Sequence, residues 1–79
     1  MDTSHILNTV KDSIANITGI SADTIEDTSA YVEDLKLDSL SILEVVVEIE
    51  YQFKIKIPEE RLGRIRTVDD TVQAVQEHL

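Results

Sequence analysis

Cysteine is absent from this chain of 79 residues, which excludes disulfide bonds, cysteine-ligated zinc and catalysis by a thiol of its own. Glycine is almost absent as well, and neither of the two glycines belongs to a loop of the kind that cradles phosphates. The two histidines, His5 and His78, lie near opposite ends of the chain. No metal-ligand cluster and no nucleophile–base pair stands out, so the sequence argues against an enzyme.

Basic residues are also scarce, since seven Lys and Arg stand against sixteen Asp and Glu and the formal net charge is −9. Residues 1–53 hold eleven of the acids and only two bases, Lys11 and Lys36. Such a segment repels nucleic-acid phosphates and attracts basic protein surfaces. We therefore expect protein partners and no nucleic acid. The other five bases lie within thirteen residues: Lys54, Lys56, Arg61, Arg64 and Arg66.

Long apolar runs are missing too. None approaches the roughly 18 to 20 residues needed to span a membrane, and residues 1–5 do not begin a signal peptide. The hydrophobic content of 42% is normal for a globular protein, and this length allows one domain, residues 1–79, with a thin core. We expect a cytoplasmic protein, most simply a monomer, that does not associate with membranes.

Two segments in the first two-thirds of the chain show helical periodicity. The first helix is expected to be capped by Thr3 or Ser4 and to end at Gly19. Its apolar face comprises Ile6, Leu7, Val10, Ile14 and Ile17. The second helix is expected to be capped by Asp38 and to run to about Phe53, although the three valines at 45–47 favour a strand on propensity alone. Its main buried face comprises Ile42, Val45, Val46, Ile49 and Phe53, and a second apolar stripe comprises Leu40, Leu43 and Val47.

The last third of the chain predicts two more helices. Residues 54–57 alternate like a short strand, which Pro58 stops. Pro58 is expected at the first position of a short third helix that ends at Gly63, and Thr67 is expected to cap the last helix. The buried face of the last helix comprises Val68, Val72, Val75 and Leu79. The sequence thus predicts an all-α fold: a small four-helix bundle, three longer helices plus one short third helix, with a long loop between the first two.

Ser39 stands where an irregular segment gives way to the second helix, so its hydroxyl should be held on rigid structure and exposed. Nucleophilic catalysis would need a base within hydrogen-bond reach, and neither histidine is near in sequence. Two interpretations remain open from the residues alone. Ser39 is a further capping residue, or it is a site that other enzymes modify.

The surroundings of Ser39 resemble those of the acyl carrier proteins of fatty acid and polyketide synthesis. The segment Leu-Lys-Leu-Asp-Ser-Leu at 35–40 is similar to the family's Leu-Gly-x-Asp-Ser-Leu motif. Tyr-Val-Glu-Asp-Leu at 31–35, Phe-Lys-Ile-Lys-Ile-Pro at 53–58 and Arg-Thr-Val at 66–68 also have counterparts in the family, so the resemblance covers essentially the whole chain.

The resemblance implies a carrier without catalysis of its own. Ser39 would accept a 4′-phosphopantetheine arm from coenzyme A, attached by a magnesium-dependent phosphopantetheinyl transferase, with Asp38 and Leu40 beside it. The arm would hold acyl groups as thioesters and present them to enzymes of the acyltransferase, ketosynthase or ligase type. Residues implied to contact those partners are Leu40, Leu43, Glu44, Val47 and Ile57.

Three features depart from the family. Lys36 replaces a frequent glycine, so either its backbone adopts a positive φ at some cost or the loop takes another path. Ser41 replaces a frequent acid, and Arg61, Arg64 and Arg66 bring positive charge to the third helix, unless they pair with Glu59, Glu60, Asp69 or Asp70. These departures favour a carrier of a specialised, polyketide-type pathway. The alternatives are a peptidyl or aminoacyl carrier, or an unmodified helical module for protein interaction.

Overall fold

The computed structural model describes residues 2–79 and consists of four α-helices in chain order. They are α1 (Thr3–Thr18), α2 (Ser39–Phe53), α3 (Glu59–Leu62) and α4 (Val68–His78). A 3-10 turn at Ala22–Thr24 lies in the long connection between α1 and α2. The predicted all-α bundle, with three longer helices and one short third helix, is confirmed. Within residues 2–79, no helix is both long and apolar enough to cross a membrane.

The hydrophobic core lies between α1, α2 and α4. α1 contributes the side chains of Ile6, Val10 and Ile14, and α4 contributes those of Val68, Val72 and Val75. From α2 the buried side chains are Val45, Val46 and Ile49, with Ile42 and Phe53 packed half-buried against them. The three valines at 45–47 are helical despite their strand propensity. In the helix, the 3.6-residue period places Val45 and Val46 in the core and leaves Val47 exposed.

The ends of the helices follow ordinary capping chemistry. Asp2 caps α1 by accepting a hydrogen bond from the His5 N–H at 2.9 Å, so the expectation of Thr3 or Ser4 is wrong by one or two residues. Gly19 ends α1 at φ 80°, the left-handed conformation that glycine adopts without strain. Thr67 caps α4, and the Asp70 carboxylate completes a capping box by accepting the Thr67 N–H.

Several expectations at the edges of the helices need correction. Ile17, in the last turn of α1, is 38% exposed because its face turns toward the exposed side of α2. Leu79 is exposed because it follows the last helical residue, where the backbone no longer continues the α4 face. Pro58 is the N-cap of α3 rather than its first residue, and residues 54–57 form no strand.

The long α1–α2 connection is fixed to the start of α4. Ala30 and Thr67 form an isolated antiparallel bridge. On either side of it, the Tyr31 N–H donates to the Arg66 carbonyl at 2.9 Å and the Val68 N–H donates to the Ser29 carbonyl at 3.0 Å. The segment that leads into α2 is therefore tied to the bundle rather than free in solution.

Candidate functional site

Ser39 is the first residue of α2, and the residue before it sets its position. Asp38 has an extended backbone and caps the helix, because its Oδ1 accepts the Ser41 N–H at 2.8 Å. That hydrogen bond lowers the pKa of the Asp38 carboxyl and so favours the ionised form of the capping side chain. The predicted N-cap is confirmed, and Ser39 lies immediately after it on regular helix.

The Ser39 side chain is exposed and opens onto a cleft between α2 and the α3 region. The cleft has a volume of 260 Å³. Apart from Ser39 its lining is apolar: Ile42, Leu43, Val46, Leu62 and Ile65. A group attached to the hydroxyl can therefore extend into solvent or along an apolar surface.

The loop before Ser39 contains a left-handed residue. Lys36 has φ 58°, so the lysine adopts the conformation that a glycine would adopt more easily. The next residue is held in place, because the Leu37 N–H donates to the Tyr31 carbonyl at 2.9 Å. Of the two possibilities that the sequence left open, the structure shows the strained lysine.

An exposed apolar stripe runs along α2 from Ser39. Leu40, Leu43 and Val47 are 66%, 52% and 55% exposed, so the second stripe seen in the sequence lies outside the core. Tyr51, which the sequence reasoning missed, extends the stripe and is 76% exposed. Its spacing of four residues from Val47 is the signal that could have identified it.

Acidic side chains and α1 border this stripe. Ile17 of α1 and Glu44 of α2 share an open groove with Leu43, Val47 and Glu48. The stripe thus combines apolar area with carboxylates and lies next to Ser39 on one face of the bundle.

Ile57 lies at the edge of this face, where it lines an open groove with Leu43 and Val47. Its side chain is only 2% exposed and packs in the core, and its N–H donates to Glu50 Oε2 at 2.8 Å. Because so little of its side chain is exposed, Ile57 offers a partner only a small contact area, and the expected contact stays a prediction.

The basic segment is only partly neutralised. Arg61 pairs with Glu77, with its Nε donating to Oε1 at 2.8 Å, and not with the four acids considered from the sequence. Arg64 and Arg66 are exposed and form no ion pair within residues 2–79. Arg64 and Arg66 are therefore cations without a direct ion pair, in a region that also holds the exposed acids Glu59 and Glu60.

Neither histidine provides a base for Ser39. His5 is exposed in the first turn of α1, and His78 Nδ1 lies 2.8 Å from the Ala74 carbonyl oxygen at the end of α4. In the part of the chain that the structure describes, no group of acids and histidines could hold a metal ion. The arrangement around Ser39 suits modification by another protein.

Comparison with known proteins agrees with this arrangement. A family model described as "Phosphopantetheine attachment site" matches residues 8–75. An acyl carrier protein from Brachyspira hyodysenteriae is 38% identical over 74 residues, which cover 92% of this chain and 95% of that protein. This chain belongs to the acyl carrier protein family.

Other members of the family show the same likeness. The meromycolate extension acyl carrier protein of Mycobacterium leprae is 38% identical over 72 residues, which cover 91% of this chain and 63% of that protein. The solved structure of the acyl carrier protein from Enterococcus faecalis superposes with a TM-score of 0.79 at 32% identity, and the match covers 100% of both chains. This chain is accordingly a carrier rather than an enzyme, and its cofactor is covalently attached phosphopantetheine.

The residues around Ser39 fit such a group. The hydroxyl is exposed, so nothing has to move to make room for a phosphodiester. Ser39 also lies at the positive end of the dipole of a 15-residue helix, which favours a nearby anion. Since the chain has no cysteine, a thiol for carrying acyl groups has to come from the arm.

Proposed function

We propose that Ser39 carries the phosphopantetheine arm and that this chain holds acyl intermediates on it. When attached, the arm supplies the thiol that binds an acyl group as a thioester. The Ser39 Oγ would form a bond to the phosphorus that carries the pantetheine part of coenzyme A. The pyrophosphate bond would break, adenosine bisphosphate would leave, and the hydroxyl proton would pass to a base of the transferase. The observation that carries the proposal is an exposed serine hydroxyl at the start of α2, beside an open apolar cleft.

Intact mass spectrometry tests this proposal. We expect the folded chain to gain one phosphopantetheinyl group after incubation with coenzyme A, magnesium and a broad-specificity phosphopantetheinyl transferase. Ser39→Ala should gain nothing. Ser41→Ala is the matched control, because it removes a hydroxyl two residues away on the same helix, and it should be modified like the parent.

The alternative is an unmodified interaction module, which would use α2 as a docking surface. No gain of mass in a parent shown to be folded would favour that module. Modification of Ser39→Ala would instead place the arm on another residue.

We also propose that biosynthetic enzymes and the transferase contact the apolar stripe of α2. The proposal covers Leu40, Leu43, Glu44 and Val47 and extends to Tyr51, since these side chains lie on the exposed side of the helix that begins at Ser39. Acidic and apolar groups together suit a basic partner surface with apolar anchors.

Two leucines of similar exposure can test whether the transferase contacts the stripe. Leu43→Asp should raise the KM for the transferase, whereas Leu79→Asp, at a position 57% exposed and outside the stripe, should leave it unchanged. Equal effects of both variants on KM would mean that the added charge, and not the stripe, is responsible.

The pathway we propose is specialised and polyketide-type rather than housekeeping fatty acid synthesis. Its support is the positive charge of Arg64 and Arg66, which are exposed and lack ion-pair partners within residues 2–79. Charge of that sign on the α3 side would repel enzymes whose own surfaces are basic, and so would select against them.

Reversing the charge of Arg64 and Arg66 tests whether these residues select against enzymes of fatty acid synthesis. The double variant Arg64→Glu/Arg66→Glu should be loaded faster by a malonyltransferase of fatty acid synthesis than the parent, and Lys54→Glu should not be. Arg61 is left in place because its pair with Glu77 ties α3 to α4. Unchanged loading of the double variant would contradict selection by charge.

A further inference from the structure

Tyr31 is a tyrosine enclosed in the core. It is 1% exposed, and its hydroxyl forms a hydrogen bond with Thr71 Oγ1 on α4, which is fully buried. Thr71 Oγ1 also donates to the Thr67 carbonyl at 3.3 Å, so its single proton is used and the Tyr31 hydroxyl is the donor in the first bond. Burial raises the pKa of Tyr31 to about 12, and the phenol is therefore a protonated donor at neutral pH.

The backbone of the same residue joins two other segments. Its N–H donates to the Arg66 carbonyl at 2.9 Å, just before α4. Its carbonyl accepts the Leu37 N–H at 2.9 Å, immediately before the α2 cap. Tyr31 is thus attached to α4 through its side chain, and to the segments that precede α4 and α2 through its main chain.

These attachments can affect the position of Ser39 because Leu37, which bonds to Tyr31, is only two residues before it. Leu37 is followed directly by the cap Asp38 and then by Ser39. Between Tyr31 and Leu37 the chain contains Lys36 in its left-handed conformation. A segment that stores backbone strain keeps its shape only where surrounding contacts fix it. The Tyr31 contacts do so here, together with the Asp34 and Leu35 N–H groups that donate to the Ala30 carbonyl.

We propose that Tyr31, through its hydrogen bond to Thr71, is a positioning residue for the attachment of phosphopantetheine at Ser39, an inference that depends on the proposed function of that serine. The bond holds the segment 31–37 against α4 and so fixes the entry into α2. When the bond is absent, the segment opens part of the time. A smaller fraction of the molecules then presents Ser39 in the arrangement that the transferase can modify.

The variant Tyr31→Phe tests this inference. It keeps the ring in the core, and Thr71 keeps its bond to the Thr67 carbonyl, so no buried proton donor is left unpaired. We expect the population in which this segment is open to rise about fivefold, the equilibrium equivalent of one hydrogen bond of ordinary net strength, so that kcat/KM for the transferase falls while kcat at saturating carrier stays unchanged. Thr24→Val is the control, because it removes an exposed hydroxyl that donates to the Ser21 carbonyl at 2.8 Å in the 3-10 turn, outside the apolar stripe of α2.

Hydrogen exchange provides a readout that a purely structural role would not change. In Tyr31→Phe the Leu37 amide should exchange faster, while amides in the middle of α1, such as that of Ile14, should keep their protection. Thr71→Val should reproduce both effects, and Thr71→Ser, which retains the hydroxyl, should restore the parent kinetics.

Two results would overturn the inference. One is a kcat/KM for Tyr31→Phe equal to that of Thr24→Val. The other is a parallel loss of protection at Leu37 and Ile14, which would show that the bond stabilises the whole fold without positioning the segment. Should Tyr31→Phe fail to fold, the Thr71 variants decide the question with the same measurements. Failure of the parent itself to be modified, or modification of Ser39→Ala, would refute the proposed function instead.

Discussion

Lys36 offers a sharp test of the geometry around the site. At φ 58° a side chain with a Cβ costs roughly 1–2 kcal/mol, which glycine avoids. Glycine also makes the unfolded chain more flexible, which offsets about 0.4–1 kcal/mol of that gain. The Lys36 side chain is exposed and forms no ion pair within residues 2–79, so its removal loses no such contact. We expect Lys36→Gly to raise the free energy of unfolding by about 0.5–1 kcal/mol.

For a domain of this size, that change corresponds to a rise in Tm of roughly 2–8 °C. Thermal unfolding followed by far-ultraviolet circular dichroism measures it. Lys56→Gly is the matched control, since it makes the same change at an exposed position without a positive φ. The control should lose about 0.5–1 kcal/mol. If both variants lowered Tm by the same amount, the argument from left-handed geometry would be refuted.

Three further predictions concern stability. Ile49 is fully buried, so Ile49→Ala should lower the free energy of unfolding in urea by about 2–5 kcal/mol and Leu43→Ala by less than about 1 kcal/mol; equal losses would contradict the core. The Ser41 N–H lowers the pKa of Asp38, so the stability it contributes is present above the ordinary value of 3.8 and is lost as pH falls through the lower folded value. Asp38→Asn should therefore reduce the loss of stability in acid, and an unaltered pH profile would count against the cap. Burial raises the pKa of Tyr31 from 10.0 to about 12, so stability present below pH 10 should decline between pH 10 and pH 12. Tyr31→Phe should remove that decline, and an identical alkaline profile in both proteins would contradict it.

Periodicity and caps predicted the bundle because both are local. The apolar spacing of Val68, Val72 and Val75 and the cap at Thr67 depend on neighbours within one or two turns, and the structure has them as expected. Asp38 was predictable for the same reason. Where several capping residues compete, local chemistry does not decide between them: Asp2 caps α1 although Thr3 and Ser4 follow it.

What could not be predicted depends on how separate segments meet. Ile57 is buried because the connection after α2 turns it inward and its N–H reaches Glu50, and no spacing along the chain indicates that. The hydrogen bond between Tyr31 and Thr71 joins residues forty positions apart. At Lys36 the sequence indicated two possible paths of the loop, a positive φ or a different backbone path. The structure shows the positive φ.

The position of the arm is the central claim, and fragment-ion mapping of the modified protein tests it most directly. After modification with coenzyme A and a phosphopantetheinyl transferase, tandem mass spectrometry should locate the added group on Ser39 alone, at the first residue of α2. The group found on Ser41, Ser29 or any other residue, or no group at all on the folded chain, would contradict the account.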